Sequence, residues 1–409
     1  MSHTAAPGAR QLTGVRWALL FGNFTIGCGV MVTAGTLNDL SRSLQVSVAV
    51  AGQLISVAAV LIALCAPLLA AVVAGIDRRR LLTLSLLWFA AWHGVSALMP
   101  SFAALLPVRA ISVLSAAVFT PQAAAALGVM VPPAQRGQAI TFALLGWSLA
   151  SVLGMPLSAW IGETWGWRWA FGGVGLLALA AAAGVWRAMP DGVRPAALSW
   201  ASWASVFTQP ALMAVVFVTV LSAAGQFTLF SYFAPYYRQV LGASPAEISG
   251  LFLWFGAIGL AGNLLLTRHV DRIGADRAVA LTLGCMAVSL LLWPLGRSVL
   301  LMMVVTMPWA LGCFASNAGQ QARLVQAAPV LAPALIALNS SAMYAGQALG
   351  AASGGAMMAP FGYGPLHWVG LAWLLLAIAL SVWAARRMAA GAAADVAKVA
   401  AADAAPLRG

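Results

Sequence analysis

The chain has 409 residues, 62% of them hydrophobic and 7% charged, with 21 basic against 9 acidic residues and a formal net charge of +12. A soluble surface carries about 25% charged residues, so a soluble enzyme, a secreted domain and a disordered regulator are excluded; lipid is the solvent that fits this composition. The basic excess forms no single patch, so it is read as an orientation signal rather than a nucleic-acid footprint.

A membrane-crossing helix needs about 20 apolar residues. Runs of that kind recur at 15–36, 48–74, 81–99, 102–130, 138–161, 169–187, 211–234, 247–267, 278–296, 299–322, 333–358 and 365–385. The predicted fold class is therefore all-α and integral to the membrane, with twelve transmembrane helices. Residues 1–14 form a polar N-terminal tail with no cleavable signal. Residues 15–187 hold six spans, 188–210 a polar central linker, 211–387 six more spans, and 388–409 an Ala-rich tail expected to fray or lie on the surface.

Placing the N-terminus in the cytoplasm puts 16 basic residues inside and four outside (Arg42, Arg168, Arg238, Arg297), with Arg109 left within span 4. That asymmetry predicts both termini cytoplasmic. The predicted location is the cytoplasmic (inner) membrane. Cys28, Cys65, Cys285 and Cys313 lie in apolar runs without metal-ligand spacing and read as packing residues. Trp17, Trp165, Trp167, Trp169, Trp293 and Trp368 sit near span ends, where aromatic belts form.

The halves repeat weakly. Asp77-Arg78-Arg79-Arg80 follows span 2 and Asp271-Arg272-Ile273-Gly274 follows span 8; proline pairs precede spans 5 and 11. Small-residue ladders then follow, Gly146, Gly154, Pro156 and Gly162 in span 5 and Gly346, Gly350 and Gly354 in span 11. A period near 200 residues fits two parallel six-span repeats with a site between them near the midplane. Glycines four apart permit close helix approach, and their placement at matching positions favours an interface that rocks, although static packing produces the same pattern. The Asp-Arg turns read equally as positive-inside anchors or as contacts that change when helices tilt.

Arg109 lies about 10 Å into its span. An arginine at depth is costly and needs a cavity or a partner: a backbone carbonyl, water, an anionic solute group, or a snorkelling path to the interface. His93 in span 3 reads first as structural. Arg109, Asn23, Gln226, Tyr232, Asn317 and Gln321, all polar groups within spans, are the candidates for solute binding or coupling; Gln53, Asn263, Asn339 and Gln347 are candidates for closing the cavity or bridging helices. No P-loop, metal constellation, flavin motif or nucleophile triad appears, so neither an ATP-driven pump nor an intramembrane enzyme is expected, and no cofactor or metal.

The sequence resembles the major facilitator superfamily, in its twelve-span drug:proton antiporter group, and is most similar to the branch with sugar-efflux and purine-nucleoside-efflux permeases. The resemblance rests on Gly22-Asn23-Phe24 with Ile26-Gly27, Ala51-Gly52-Gln53-Leu54, Arg109, Val131-Pro132-Pro133-Ala134-Gln135-Arg136-Gly137, Gly154-Met155-Pro156-Leu157 and Gly166-Trp167-Arg168-Trp169-Ala170-Phe171. In the second half it rests on Tyr232-Phe233-Ala234-Pro235, Gly262-Asn263, Asp271-Arg272, Gln321-Ala322-Arg323 and Asn339-Ser340-Ser341. It implies two pseudo-symmetric six-helix bundles working by alternating access, with spans 1, 4, 7 and 10 lining the cavity. It also implies an antiporter-type span 5 and Asp-Arg turns (Asp77, Arg78, Asp271, Arg272) acting as gates.

Relatives in that branch carry span-1 acids just after the Ile-Gly pair, where this chain has Cys28-Gly29-Val30-Met31. All nine acids fall in loops, span ends or the tail, so the usual titratable group of a proton antiporter is missing. The reading is a secondary transporter, an exporter of a small polar solute, with protons and lipids as the other partners, no nucleic acid, and a monomeric state. A facilitative or uptake carrier for an organic anion is the alternative within transport, and a membrane receptor or scaffold the alternative outside it.

Overall fold

A computed structural model describes residues 9–73, 75–132, 135–195, 200–328 and 331–403. It is all-helical, and twelve helical segments take the predicted places. Span 1 is Ala9–Gly35, span 2 Val48–Val72, span 3 Arg78–Ala97 and span 6 Trp167–Ala188. Span 4 is broken once, as Phe102–Ser112 and Leu114–Met130. Span 5 runs Arg136–Leu149 and Met155–Thr164 around a π-turn at Ala150–Gly154. Span 7 is Pro210–Phe230 continued by Phe233–Gln239, span 8 Pro245–Ile273, span 9 Ala275–Leu292, span 10 Val299–Ala327, span 11 Ala332–Phe361 and span 12 Leu366–Asp403. Two short helices, Leu37–Ser43 and Trp200–Phe207, lie in the first loop and the central linker.

Ten of the helices are long and apolar enough to cross a membrane by composition alone. Spans 3 and 11 are not among them. Span 3 opens on three arginines, and span 11 carries Asn339, two serines and Gln347; both bury much of this polar content against neighbouring helices. Span 12 continues as helix well past residue 387, where a tail that frays or lies on the surface was expected. Its alanine run explains this, since alanine has the highest intrinsic helix propensity.

The ends and breaks follow from local chemistry. Asp77, Ser101 and Ser298 cap spans 3, 4 and 10 through side chains that accept backbone N–H bonds. Ser244 and Glu247 form a reciprocal capping box on span 8. Gly274, at φ +82°, turns span 8 into span 9. In span 5, Pro156 has no N–H and crowds the carbonyl four residues back; the ladder widens there, and the Met155 N–H reaches the Ala150 carbonyl.

Spans 1–6 and 7–12 each close around their own core. One core gathers Leu19, Ile26, Phe89, Phe119, Ala143, Phe171 and neighbours from the first six spans. A second is dominated by spans 7–10 and 12, yet Ala34, Leu37, Ala51, Ile55, Met155 and Ala159 of the first half belong to it. Those six lie toward the end of the molecule that carries the 1–2 and 7–8 connections. Two hydrogen bonds join the halves in the same region: Asn38 Nδ2 donates to the Ala234 carbonyl (3.1 Å) and Ser249 Oγ to the Pro156 carbonyl (3.2 Å). Across the seam, a Cβ on Gly256 of span 8 would stand 2.8 Å from the Val152 Cα of span 5. The halves are therefore packed shut at this end.

Candidate functional site

Each half carries one polar chain on equivalent spans. In the first half, Asn23 Nδ2 donates to Leu19 O (3.1 Å), Thr120 Oγ1 donates to Asn23 Oδ1 (2.8 Å), and Trp147 Nε1 donates to Thr120 Oγ1 (3.2 Å). This ties spans 1, 4 and 5. In the second half, Thr219 Oγ1 donates to Asn339 Oδ1 (2.6 Å) and Asn339 Nδ2 donates to Asn317 Oδ1 (2.9 Å), with Gln320 Nε2 on the Val215 carbonyl (3.2 Å). This ties spans 7, 10 and 11. Asn23 and Thr219 are 196 positions apart, and Thr120 and Asn317 are 197, so the two chains are related by the six-span repeat. Each runs from a fully buried amide to half-buried groups, Thr120 and Trp147 on one side and Asn317 on the other.

Sequence reasoning had picked out Asn23 and Asn317 but missed Thr120, Trp147 and Thr219, and it had assigned Asn339 only to closure or bridging. A readable signal existed in the matched 196- and 197-residue spacings. Gln226 is buried and donates to Ser222 O of its own helix, at 3.4 Å. Gln321 is half-buried on span 10.

Arg109 takes backbone carbonyls as partners, one of the possibilities its depth left open. It is 2% exposed within the first half, donating from Nη2 to the carbonyls of Gly29 (2.7 Å) and Val30 (3.3 Å) on span 1. Its Nη1 donates to His93 Nε2 (3.1 Å), and its guanidinium stands 5.6 Å from the Phe171 ring of span 6. An arginine has no acceptor, so His93 accepts at Nε2 and must carry its proton at Nδ1, which donates to Phe89 O (2.9 Å). The pair is a buried bracket between spans 1, 3, 4 and 6.

Tyr232, the aromatic among the solute-binding candidates, packs at the shut end. It sits at the break of span 7, 1% exposed, with its hydroxyl donating to the Ala351 carbonyl (2.7 Å). A Cβ on Gly52 of the opposite half would lie 2.5 Å from that hydroxyl, and one on Gly355 2.6 Å. Tyr232 is thus a wedge in a glycine slot at the shut end.

The glycine ladders close within the halves rather than between them. A Cβ at Gly146 would meet Leu20 O at 2.3 Å and at Gly154 Cys28 Sγ at 2.3 Å, both on span 1, and at Gly162 Thr36 Cγ2 at 2.7 Å, just past its end. At Gly346 it would meet Val220 O at 2.2 Å, at Gly350 Ala224 O at 2.4 Å, and at Gly354 Thr228 O at 2.5 Å, all on span 7. The seam between halves is made by other faces of these elements, span 5 against span 8 and span 11 against span 2.

The Asp-Arg turns are anchored differently from the sequence pattern. Asp77 caps span 3 and accepts from the Gly192 N–H (2.6 Å), while Arg79 pairs with Asp191 (2.7 Å) and donates to the Trp186 carbonyl. Arg78 is buried and donates to the Ile76 carbonyl within its own turn. The first turn is therefore locked to the central linker. In the second half the ion pair joins Asp276 at the start of span 9 to buried Arg323 of span 10, which also donates to Ser381 of span 12. Arg272 is exposed, and the side chain of Asp271 lies outside the described residues.

Comparison with known proteins agrees with this architecture. The family model "Major Facilitator Superfamily" matches residues 19–334 and 215–405, and the chain belongs to that superfamily of membrane transporters, which is not an enzyme family. It is 28% identical over 371 residues to the inner membrane transport protein YdhP of Escherichia coli strain K12, covering 90% of this chain and 95% of that one. It is 25% identical over 363 residues to the uncharacterized MFS-type transporter YbcL of Bacillus subtilis, covering 88% and 93%. Among solved structures, a bacterial homolog of the human lysosomal transporter Spinster, inward-facing and unoccupied, superposes with a TM-score of 0.75 at 17% identity, over 93% of this chain and 98% of that one. The D-xylose-proton symporter gives 0.73 at 16% identity, over 90% and 97%.

Proposed function

We propose that this protein is a secondary active transporter that exports a small, neutral, polar organic solute by alternating access, in the manner of the efflux branch its motifs resemble. The observation that carries the reading is the pair of repeat-related polar chains, Asn23–Thr120–Trp147 and Thr219–Asn339–Asn317. Their half-buried ends, Thr120 with Trp147 in one half and Asn317 in the other, are the groups a solute between the halves would meet in this reading, with Gln321 one turn from Asn317 on span 10. Neutral donors and acceptors suit a hydroxylated or amide-bearing solute. The withdrawal of Arg109 into the first half takes away the cation that an organic-anion carrier would use.

Both termini are assigned to the cytoplasm by the 16 to 4 arginine and lysine bias. The shut end then faces outward, and an exported solute would load from the cytoplasmic side. Proton coupling through a mid-membrane carboxylate is disfavoured, because all nine acids lie in loops, span ends or the tail. Purified protein in proteoliposomes, tested on sugars, nucleosides, amino acids and organic anions with and without an imposed pH gradient, is the test. Flux of a neutral polar solute, reduced at least tenfold by Asn317→Ala, supports the reading. Flux confined to anions, or absent for every solute with folded protein, overturns it.

A further inference from the structure

Span 9 turns one stripe to the bilayer: Arg277, Ala280, Leu281, Gly284, Cys285 and Val288, at the i, i+3, i+4, i+7, i+8, i+11 spacing of a single helix face. With Pro308 of span 10 these residues line an open groove of about 600 Å³. The opposite face of the helix, including Thr282, Leu283 and Met286, is buried in the second half. From Arg277 to Val288 the groove runs roughly 16 Å at 1.5 Å per residue, about half of a 30 Å hydrocarbon core. It is as long as one leaflet is deep. Gly284 keeps its middle open, since nothing lies within 4 Å of where its Cβ would stand.

The charge at the mouth is one-sided. Arg277 is exposed and lines the groove. Its neighbour Asp276 is engaged by Arg323, and no ion pair of Arg277 occurs among the described residues. Arg268 and Arg272, both exposed, flank the same turn. A guanidinium at a membrane surface prefers an anionic headgroup and grips phosphate through its donor fork.

We propose that this groove binds one anionic phospholipid, with an acyl chain lying along Ala280, Leu281, Gly284, Cys285, Val288 and Pro308 and the phosphate on Arg277. The lipid fills the notch between spans 9 and 10 and braces the second half against the membrane. Native mass spectrometry of the full-length protein, titrated with phosphatidylglycerol, with phosphatidylcholine of the same chains, or with inorganic phosphate, tests this. The expected result is one phosphatidylglycerol bound ahead of all others. Its affinity falls about fivefold in Arg277→Ala and further in Arg277→Glu. Gly284→Leu, which fills the groove without a steric clash, lowers phospholipid binding as well, while Gly184→Leu, in equally open space on span 6, leaves it unchanged. Equal binding of phosphatidylcholine by the wild type, binding of inorganic phosphate with no phospholipid preference, or undiminished phosphatidylglycerol binding in Arg277→Ala or Gly284→Leu overturns the proposal.

Discussion

Buried polar side chains in this protein are mostly structural, and two of them show how. Arg109, 2% exposed, holds two span-1 carbonyls and a histidine ring. Hydrogen bonds from charged groups contribute about 1.5–3 kcal/mol each, and losing them would also leave the buried His93 Nε2 without its Arg109 donor. Arg109→Ala is therefore expected to cost at least about 3 kcal/mol of stability, seen as a marked fall in the melting temperature of detergent-purified protein. An unchanged melting temperature with abolished transport would instead return Arg109 to direct work on the solute. The sequence revealed that an arginine at this depth needs a partner. It could not reveal the partner, because His93 and Gly29 come from other spans and meet it only through packing. Tyr232 is similar: an aromatic beside a proline reads as a wall, and only the opposing Gly52 shows it to be a wedge. Gly52→Val forces the tyrosine hydroxyl out of its slot. The shut end is then expected to open, with faster maleimide labelling of an Ala234→Cys reporter than in the Gly52 background. Labelling at the same rate would mean that the slot plays no part in closure.

At the scale of helices, the glycine ladders set how closely spans 1 and 5, and spans 7 and 11, approach. The neighbours that a Cβ would strike at Gly146, Gly346 and Gly350 are backbone oxygens, which cannot swing aside as a side-chain tip can. Overpacking of this kind costs about 1–3 kcal/mol even where side chains give way. Gly146→Val and Gly346→Val are thus expected to reduce folded yield and melting temperature, whereas Gly172→Ala, on an open face of span 6, is expected to be neutral. Equal tolerance of all three would contradict the close-packed helix pairs. The ladders themselves were legible in sequence because their spacing is that of a helix face. Their partner was not, since four-residue spacing says that something approaches closely without saying what. The same limit explains the second ion pair: Asp271 fits the repeated motif, but the acid facing Arg323 is Asp276, 47 positions away in the chain. Disruption of that pair by Arg323→Ala is expected to destabilise the second half, because Asp276 and Ser381 lose their common partner; a melting temperature equal to wild type would show the contact to be dispensable.

At the scale of the whole molecule, composition and period carried most of the fold. Twelve apolar runs, one polar interruption near residue 190 and repeated turns 194 residues apart are enough for two six-helix halves, because lipid permits little else than closed helices. The conformation was not legible, since the same sequence must pack its halves together at either end in turn. In this structure the end bearing Asn38 and Ala234 is shut, through a shared apolar core and a direct hydrogen bond. Alternating access requires that seam to open in every cycle. The direct test is a cysteine pair at Asn38 and Ala234, in a background with the four native cysteines replaced, assayed for solute flux in proteoliposomes before oxidation, after it, and after reduction. The account predicts that the disulfide lowers flux to that of protein-free vesicles and that reductant restores it; undiminished flux through the cross-linked protein would contradict it.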